Sequence, residues 1–343
     1  MRKWYIVIMS IFLLTCQNDV SEKAHLFKIQ GKTMGTYYII SYFAPKEMIN
    51  KAQIDQLLLD FNQELSTYIP SSTISRFNKS NKQLENSTVA NELQYPLFDK
   101  VYTTAEDIYW QTDGYFDPSV MPLVNYWGFG YTPKIKKKQI DSNYVKQLKS
   151  LVGFDRFQRI KANHAITYTK TDSLSQIDFS AIAKGYGVDV VADMLEQNNI
   201  SQYLIDIGGE MKAKGKKPDG KPWTIGITQP KEHAAIDDIV ITVPLIDCAI
   251  ASSGNYRNFY ESNGHKYSHT INPKTGFMER NTLLSTSIIA KDCMTADGYA
   301  TACMVMGLKK AHALIDSLPE LTACFIYNNN GKLAFDYTKG WPK

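Results

Sequence analysis

Apolar and polar positions alternate along His25–Phe43, most regularly in Tyr37-Tyr38-Ile39-Ile40-Ser41-Tyr42, and the stretch reads as a strand entered through Lys32-Thr33-Met34-Gly35-Thr36. The period changes after Ile49. Ile54, Leu57, Leu58, Phe61 and Leu65 recur every three or four residues, which predicts an amphipathic helix over Ile49–Leu65 that ends in the loop Ser66–Pro70. Further helices are expected at Pro96–Gln111, Asp141–Leu151 and Val188–Gln197, the last with Ser180 as its N-cap, and from Met294 through Met306. Strands are expected at Ala165–Tyr168, Tyr203–Ile207, Ile239–Val243, Ile246–Ala251, Leu284–Ala290, Ala323–Tyr327 and Lys332–Tyr337. Lys212–Thr228 reads as a hairpin with Pro218-Asp219-Gly220 at its tip. Leu123–Gly130, rich in glycine and aromatic residues, fits neither period. No linker interrupts residues 25 to 343, so the pattern predicts one α+β domain of mixed, mainly antiparallel sheets with flanking helices.

The N-terminus changes the picture. Arg2 and Lys3 precede an apolar run, Trp4–Leu14, that is too short to span a bilayer and ends at Thr15-Cys16. This predicts a signal peptide over residues 1–15 and a tether over 16–24, with Cys16 as the lipidated residue of an exported, membrane-anchored protein facing the periplasm. Leu13-Leu14-Thr15-Cys16 resembles a bacterial lipobox, although Thr15 stands where a smaller residue is usual; a plain signal peptide with an incidental cysteine is the alternative. The remaining cysteines, Cys248, Cys293, Cys303 and Cys324, form no Cys-x-x-Cys pair and read as buried thiols. With 38 basic and 34 acidic residues, the net charge gives a nucleic-acid partner little support, and Lys134–Lys138 reads as a solvated loop.

Three stretches carry candidate chemistry. Ser252–Gly276 follows an apolar run and is dense in hydroxyls, with Ser253 and Gly254 small enough for close approach of a ligand to the backbone. Arg257 and His269 add donors suited to a phosphate; a polar hairpin closed by Asn272-Pro273-Lys274-Thr275-Gly276 is the plainer reading. Ile177–Gly187 runs into a helix whose first turn carries Lys184, a placement that gathers anions, and its two glycines suggest that something approaches the backbone closely. In the third stretch Asp297 and Thr301 lie four apart on one helical face, a hard-oxygen pair that suits Mg²⁺ rather than zinc. Taken alone, Asp297 is also an ordinary N-terminal helix charge. The histidines show no zinc-ligand spacing, and no Gly-x-Gly-x-x-Gly follows a strand.

Five segments in order resemble the ApbE-type flavin transferases, the FAD:protein FMN transferases of bacterial envelopes. They are Thr33–Thr36; Gly114–Asp117 with Pro122–Gly130; Asp178–Asp189; Asp206–Glu210; and Ser252–Gly276 followed by Thr295–Thr301. The resemblance spans about residues 30 to 330. It implies a central cleft holding FAD as substrate with Mg²⁺ on its pyrophosphate. It implies FAD contacts from Met34, Tyr68, Tyr115, Phe116, Asp117, Asp178, Lys184 and Ile271, and a metal site from the Ala181 carbonyl, Asp297 and Thr301 with Ala300 nearby. His269 falls at the family's histidine beside the pyrophosphate.

The implied reaction moves FMN onto a threonine of an acceptor protein and releases AMP. His269 is one candidate to take the hydroxyl proton or steady the phosphoryl oxygens, and Asp297 is the other candidate base. Two rivals use the same residues: an FAD pyrophosphatase, with water replacing the acceptor, and a lipoprotein that binds FAD without cleaving it.

Overall fold

The computed structural model describes residues 23–89, 92–133, 140–162, 164–231, 238–255, 259–262, 265–268, 270–279 and 281–342. The chain opens with strands β1 (His25–Thr33) and β2 (Thr36–Ala44), followed by helices α1 (Lys51–Leu65) and α2 (Thr73–Lys79). Strands β3 (Gln83–Val89) and β4 (Glu92–Leu93) lead to α3 (Pro96–Gln111), α4 (Met121–Trp127) and α5 (Ser142–Lys149). Strands β5 (Phe157–Ala162) and β6 (Ala165–Lys170) precede α6 (Ala183–Gln197), which is followed by β7 (Tyr203–Ile207), β8 (Glu210–Lys214), β9 (Trp223–Thr228) and β10 (Ile239–Leu245). Then come β11 (Cys248–Gly254), β12 (Phe259–Ser262), β13 (His265–Ser268), β14 (Leu283–Ala290), α7 (Cys293–Met306), α8 (Leu308–Asp316), β15 (Thr322–Asn329) and β16 (Lys332–Tyr337).

Among the described residues the central sheet has eight antiparallel strands in the order β1-β2-β7-β8-β11-β14-β15-β16. Its period-two pattern separates two cores. Tyr203, Ile205, Ala249, Ala251, Ala323 and Phe325 face the helices and join the main cluster, whereas Leu204, Ile250, Cys324 and Ile326 face the β9–β10 ribbon with Trp223 and Trp341. A smaller sheet, β4-β3-β6-β5, flanks the main core. A third cluster joins Leu123, Trp127, Val145 and Ile271.

Helix starts follow local chemistry. Asn50 and Gln53 form a reciprocal capping box on α1. Pro96 opens α3, whose Phe98 N–H is capped from α1 by Glu64 Oε2 at 2.8 Å.

Several expectations are corrected. His25–Phe43 is a hairpin, not one strand: Met34 and Gly35 adopt φ of 48° and 71°, a turn that an alternating pattern conceals. Lys212–Thr228 is not a hairpin, because β8 pairs with β7 and β11 while β9 pairs with β10. Leu123–Gly130 holds most of α4, stopped by Gly128 at φ 80°. Ser180 does not cap a helix; α6 starts at Ala183, and the Ser180 hydroxyl donates instead to Asp178 Oδ2 at 2.8 Å. The four cysteines expected to be thiols are free, with Cys293, Cys303 and Cys324 buried.

Candidate active site

The site is built where α6 and α7 cross against the ends of β8 and β11. Asp189, one face of α6, accepts the Cys293 N–H at 3.0 Å and the Met294 N–H at 2.8 Å, so it caps the start of α7 from another helix. Lys212 of β8 reaches the same carboxylate at 2.8 Å. One helical turn earlier, Gly185 removes the side chain that would keep the helices apart. A Cβ there would stand 2.7 Å from the Cys293 carbonyl carbon and 2.8 Å from Asp297 Cβ. The Gly185 N–H instead donates to Asp297 Oδ2 at 3.0 Å.

This crossing gathers an acid, a lysine and a second acid. Lys184 pairs with Glu210 at 2.5 Å, and Glu210 is 3% exposed while a third of the Lys184 side chain reaches the surface. Burial alone would lower the Lys184 pKa, but the Asp297 and Glu210 carboxylates outweigh it and hold the ammonium charged. Burial pushes Glu210 up to about 7, with Lys184 opposing. Asp297 is likewise raised by burial, opposed by Lys184 and by the Gly185 N–H. Glu210 Oε2 is buried without a hydrogen-bond partner among the described residues, an acceptor left over beside the cluster.

On the next turn of α7, the Thr301 hydroxyl lies 3.5 Å from the Ala181 carbonyl and 3.2 Å from Ser253 Oγ of β11. The fold thus brings Ala181, Lys184, Ser253, Asp297 and Thr301 into one neighbourhood. Met34 is tied to it from the β1–β2 turn, because a Cβ on Gly187 would stand 2.6 Å from Met34 Cε. The close approach suggested by the two glycines of α6 is made by the chain itself, by Cys293 and Asp297 at Gly185 and by Met34 at Gly187.

A second group of acids forms the adjoining wall. Asp178 accepts the Ser180 N–H at 2.9 Å, its own N–H donates to the Pro118 carbonyl at 2.7 Å, and burial raises its pKa against the Ser180 bonds. Asp117 accepts the Ser119 N–H at 2.8 Å, and burial carries its pKa up to about 7. Tyr68 is 65% exposed, its hydroxyl donating to the Phe129 carbonyl at 3.4 Å; burial of the hydroxyl and then the Asp178 charge raise its pKa. The remaining expected residues are more dispersed. Tyr115 lies between Lys274 and Lys310, whose Nζ atoms stand 4.5 and 4.9 Å from its ring centre. Phe116 and Ala300 are packed into the main core, and Ile271 into the third cluster. His269, Arg257 and Cys16 lie outside the described residues.

Sequence reasoning gave no site role to three contributors. Glu210 follows Gly208-Gly209 and reads as the end of a turn, yet those glycines, at φ 65° and 105°, swing β8 back so that the carboxylate meets Lys184. Asp189 looks like a polar helix position. Lys170, 3% exposed, donates to the carbonyls of Asn78, Ser173 and Ser175 at 2.9 to 3.0 Å, while the Asn78 amide bonds both backbone groups of Ile177 at 2.8 Å. Together they position the segment that ends at Asp178. In the sequence Asn78 and Lys170 stand among polar neighbours such as Arg76, Lys79 and Ser80, and Thr169, Thr171 and Asp172, which periodicity alone reads as surface.

A model of the ApbE family matches residues 34–326. The chain belongs to the ApbE family. ApbE relatives named FAD:protein FMN transferase include one from Vibrio cholerae, 36% identical over 92% of this chain and 91% of its own, and one from Haemophilus influenzae, 35% identical over 95% and 92%. The solved flavin transferase ApbE from Vibrio cholerae has a TM-score of 0.79 at 32% identity, covering 92% of this chain and 98% of that one. The apo Pseudomonas stutzeri flavinyl transferase ApbE also reaches 0.79, at 29% identity over 92% and 96%. The expected ApbE resemblance and the α+β fold class are both borne out.

Proposed function

We propose that this chain is an FAD:protein FMN transferase that uses Mg²⁺ to move FMN onto a threonine of an exported acceptor protein. Family membership supports the flavin transfer. The observation that carries the reading to this site is the charged Lys184 between two buried carboxylates, one helical turn from a hydroxyl and a carbonyl 3.5 Å apart. Asp297, Thr301 and the Ala181 carbonyl are hard oxygen donors and fit Mg²⁺. When bound there, Mg²⁺ supplies charge neutralisation on the pyrophosphate.

In this reading the acceptor oxygen attacks the FMN-side phosphorus, the bond to the AMP oxygen breaks, and the hydroxyl proton passes to a base. Lys184 holds the pyrophosphate, since its pKa keeps it cationic across the working pH range. The buried Asp178 and Asp117 are raised by burial and so are suited to hydrogen-bond the polar edge of a flavin or adenine. His269 and Asp297 remain the two candidate bases.

Incubation of the protein with FAD, Mg²⁺ and a peptide bearing the family's threonine motif is expected to give a peptide heavier by one FMN, with AMP released, and EDTA is expected to stop it. FMN and AMP beside an unmodified peptide would point to the pyrophosphatase instead. Intact FAD co-purifying with the chain would favour the binding module.

The N-terminal run and Cys16 support an envelope lipoprotein facing the periplasm. Cys16→Ser is expected to move the protein from membrane to soluble fractions. Unchanged partitioning would leave a plain signal peptide.

A further inference from the structure

Two strands end the central sheet, and their chemistry differs. At β1, a two-fold pairing of the strand with itself about Gln30 would set Lys28 against Lys32, both exposed, so like charges oppose it. At β16 the pattern is the reverse. Leu333, Phe335 and Tyr337 lie on one face, 36%, 39% and 44% exposed, and Lys332, Ala334 and Asp336 lie on the other.

The hydrogen-bond register says which backbone groups are free. Thr338 N–H donates to the Ala323 carbonyl, so even-numbered residues turn their backbone groups toward β15 and the odd-numbered ones turn theirs outward. Among the described residues, the one hydrogen bond found on that outer row is from Tyr337 N–H to Asp336 Oδ1, at 3.0 Å. The row of Leu333 and Phe335 is therefore a template for another strand.

We propose that two copies of this chain pair their β16 strands antiparallel about a two-fold axis through Ala334, joining the two central sheets into one. This register places Leu333 opposite Phe335 of the second copy as a hydrogen-bonded pair, using the outward groups. It places Lys332 opposite Asp336 as a non-hydrogen-bonded pair, where side chains approach most closely. Symmetry makes each of these contacts twice. Asp336 can be reached from outside: its side chain is 41% exposed, with Oδ2 3.6 Å from His312 Nε2 and Oδ1 accepting the N–H of its own neighbour Tyr337. The apolar row supplies the buried contact, with Leu333 against Phe335 on both sides of the axis, and the charged row selects the register. The same two charges that protect an isolated edge become complementary when the edge meets itself.

The test is disulfide trapping of the full-length chain in detergent, with sedimentation equilibrium on the same samples. Ala334 faces its own copy on the axis, with Cα atoms about 4.5 Å apart in such a pair, which is within disulfide reach. Ala334→Cys is expected to give a covalent dimer on mild oxidation, while Leu333→Cys and the unaltered chain give none. Lys332→Asp is expected to weaken self-association about tenfold by setting two acids against each other twice. Adding Asp336→Lys to it should restore the original affinity. A monomer at high protein concentration would overturn the proposal. So would a dimer whose affinity ignores Lys332→Asp, because its contact would lie elsewhere, or a β16 edge found occupied by a different protein. Flavin turnover by each variant reports that the fold is intact, since β16 carries no residue of the site.

Discussion

Asp297→Asn is expected to lower turnover by about 10³-fold while FAD still binds. The substitution keeps the shape and leaves an oxygen to accept the Gly185 N–H, so the crossing of α6 and α7 survives. It removes the one carboxylate among the proposed metal donors and one of the two charges that hold Lys184 cationic. Glu210 still pairs with Lys184, so the lysine keeps a counter-charge. The two roles open to Asp297 then separate. If it holds the metal, Mg²⁺ affinity measured by calorimetry falls together with AMP release. If it is the base, AMP release falls and Mg²⁺ affinity stays. Unchanged turnover would remove it from the chemistry and leave His269 as the base.

What could be read from the sequence, and what could not, divides along physical lines. Residues whose proposed role follows from their own chemical type could be singled out in the sequence: Lys184 in a helix start, and Asp297 with Thr301 at four-residue spacing. A strand of the central sheet was also visible as a short apolar run stopped by glycines, as in Tyr203–Ile207 before Gly208-Gly209. Alternation does not report where a chain reverses, however. Met34-Gly35 inverts the direction without breaking the pattern, and it is this reversal that brings Met34 over Gly187. Glu210, Asp189 and Lys170 were hidden for another reason. Each matters through a partner more than 20 residues away in the chain, or through burial that only tertiary packing creates: Glu210 through Lys184, Asp189 through the α7 amides, Lys170 through the Asn78 carbonyl. A polar residue's burial is not a property of its neighbours in sequence.

Gly185→Ala is expected to destabilise the protein by about 3 kcal/mol, at the upper end of overpacking costs, and to abolish turnover. The methyl group would strike the Cys293 carbonyl and Asp297 Cβ, neither of which can yield cheaply. Cys293 is held by the Asp189 bond to its N–H, and Asp297 sits on the same buried helix. Relief requires α7 to move off α6, which carries Asp297 and Thr301 away from Lys184 and Ala181. Gly187→Ala is the informative contrast, two residues along the same helix. Its methyl would crowd the flexible tip of Met34 and meet Ile207 Cδ1 at an ordinary contact distance of 3.6 Å, and alanine gains about 1 kcal/mol of helix propensity over glycine. Stability should therefore stay near the original value, while a displaced Met34 weakens FAD binding. Thermal unfolding and FAD titration of both variants give the comparison. Equal losses of stability would mean that the crossing tolerates separation, and that helix contact at Gly185 does not set the geometry of the site.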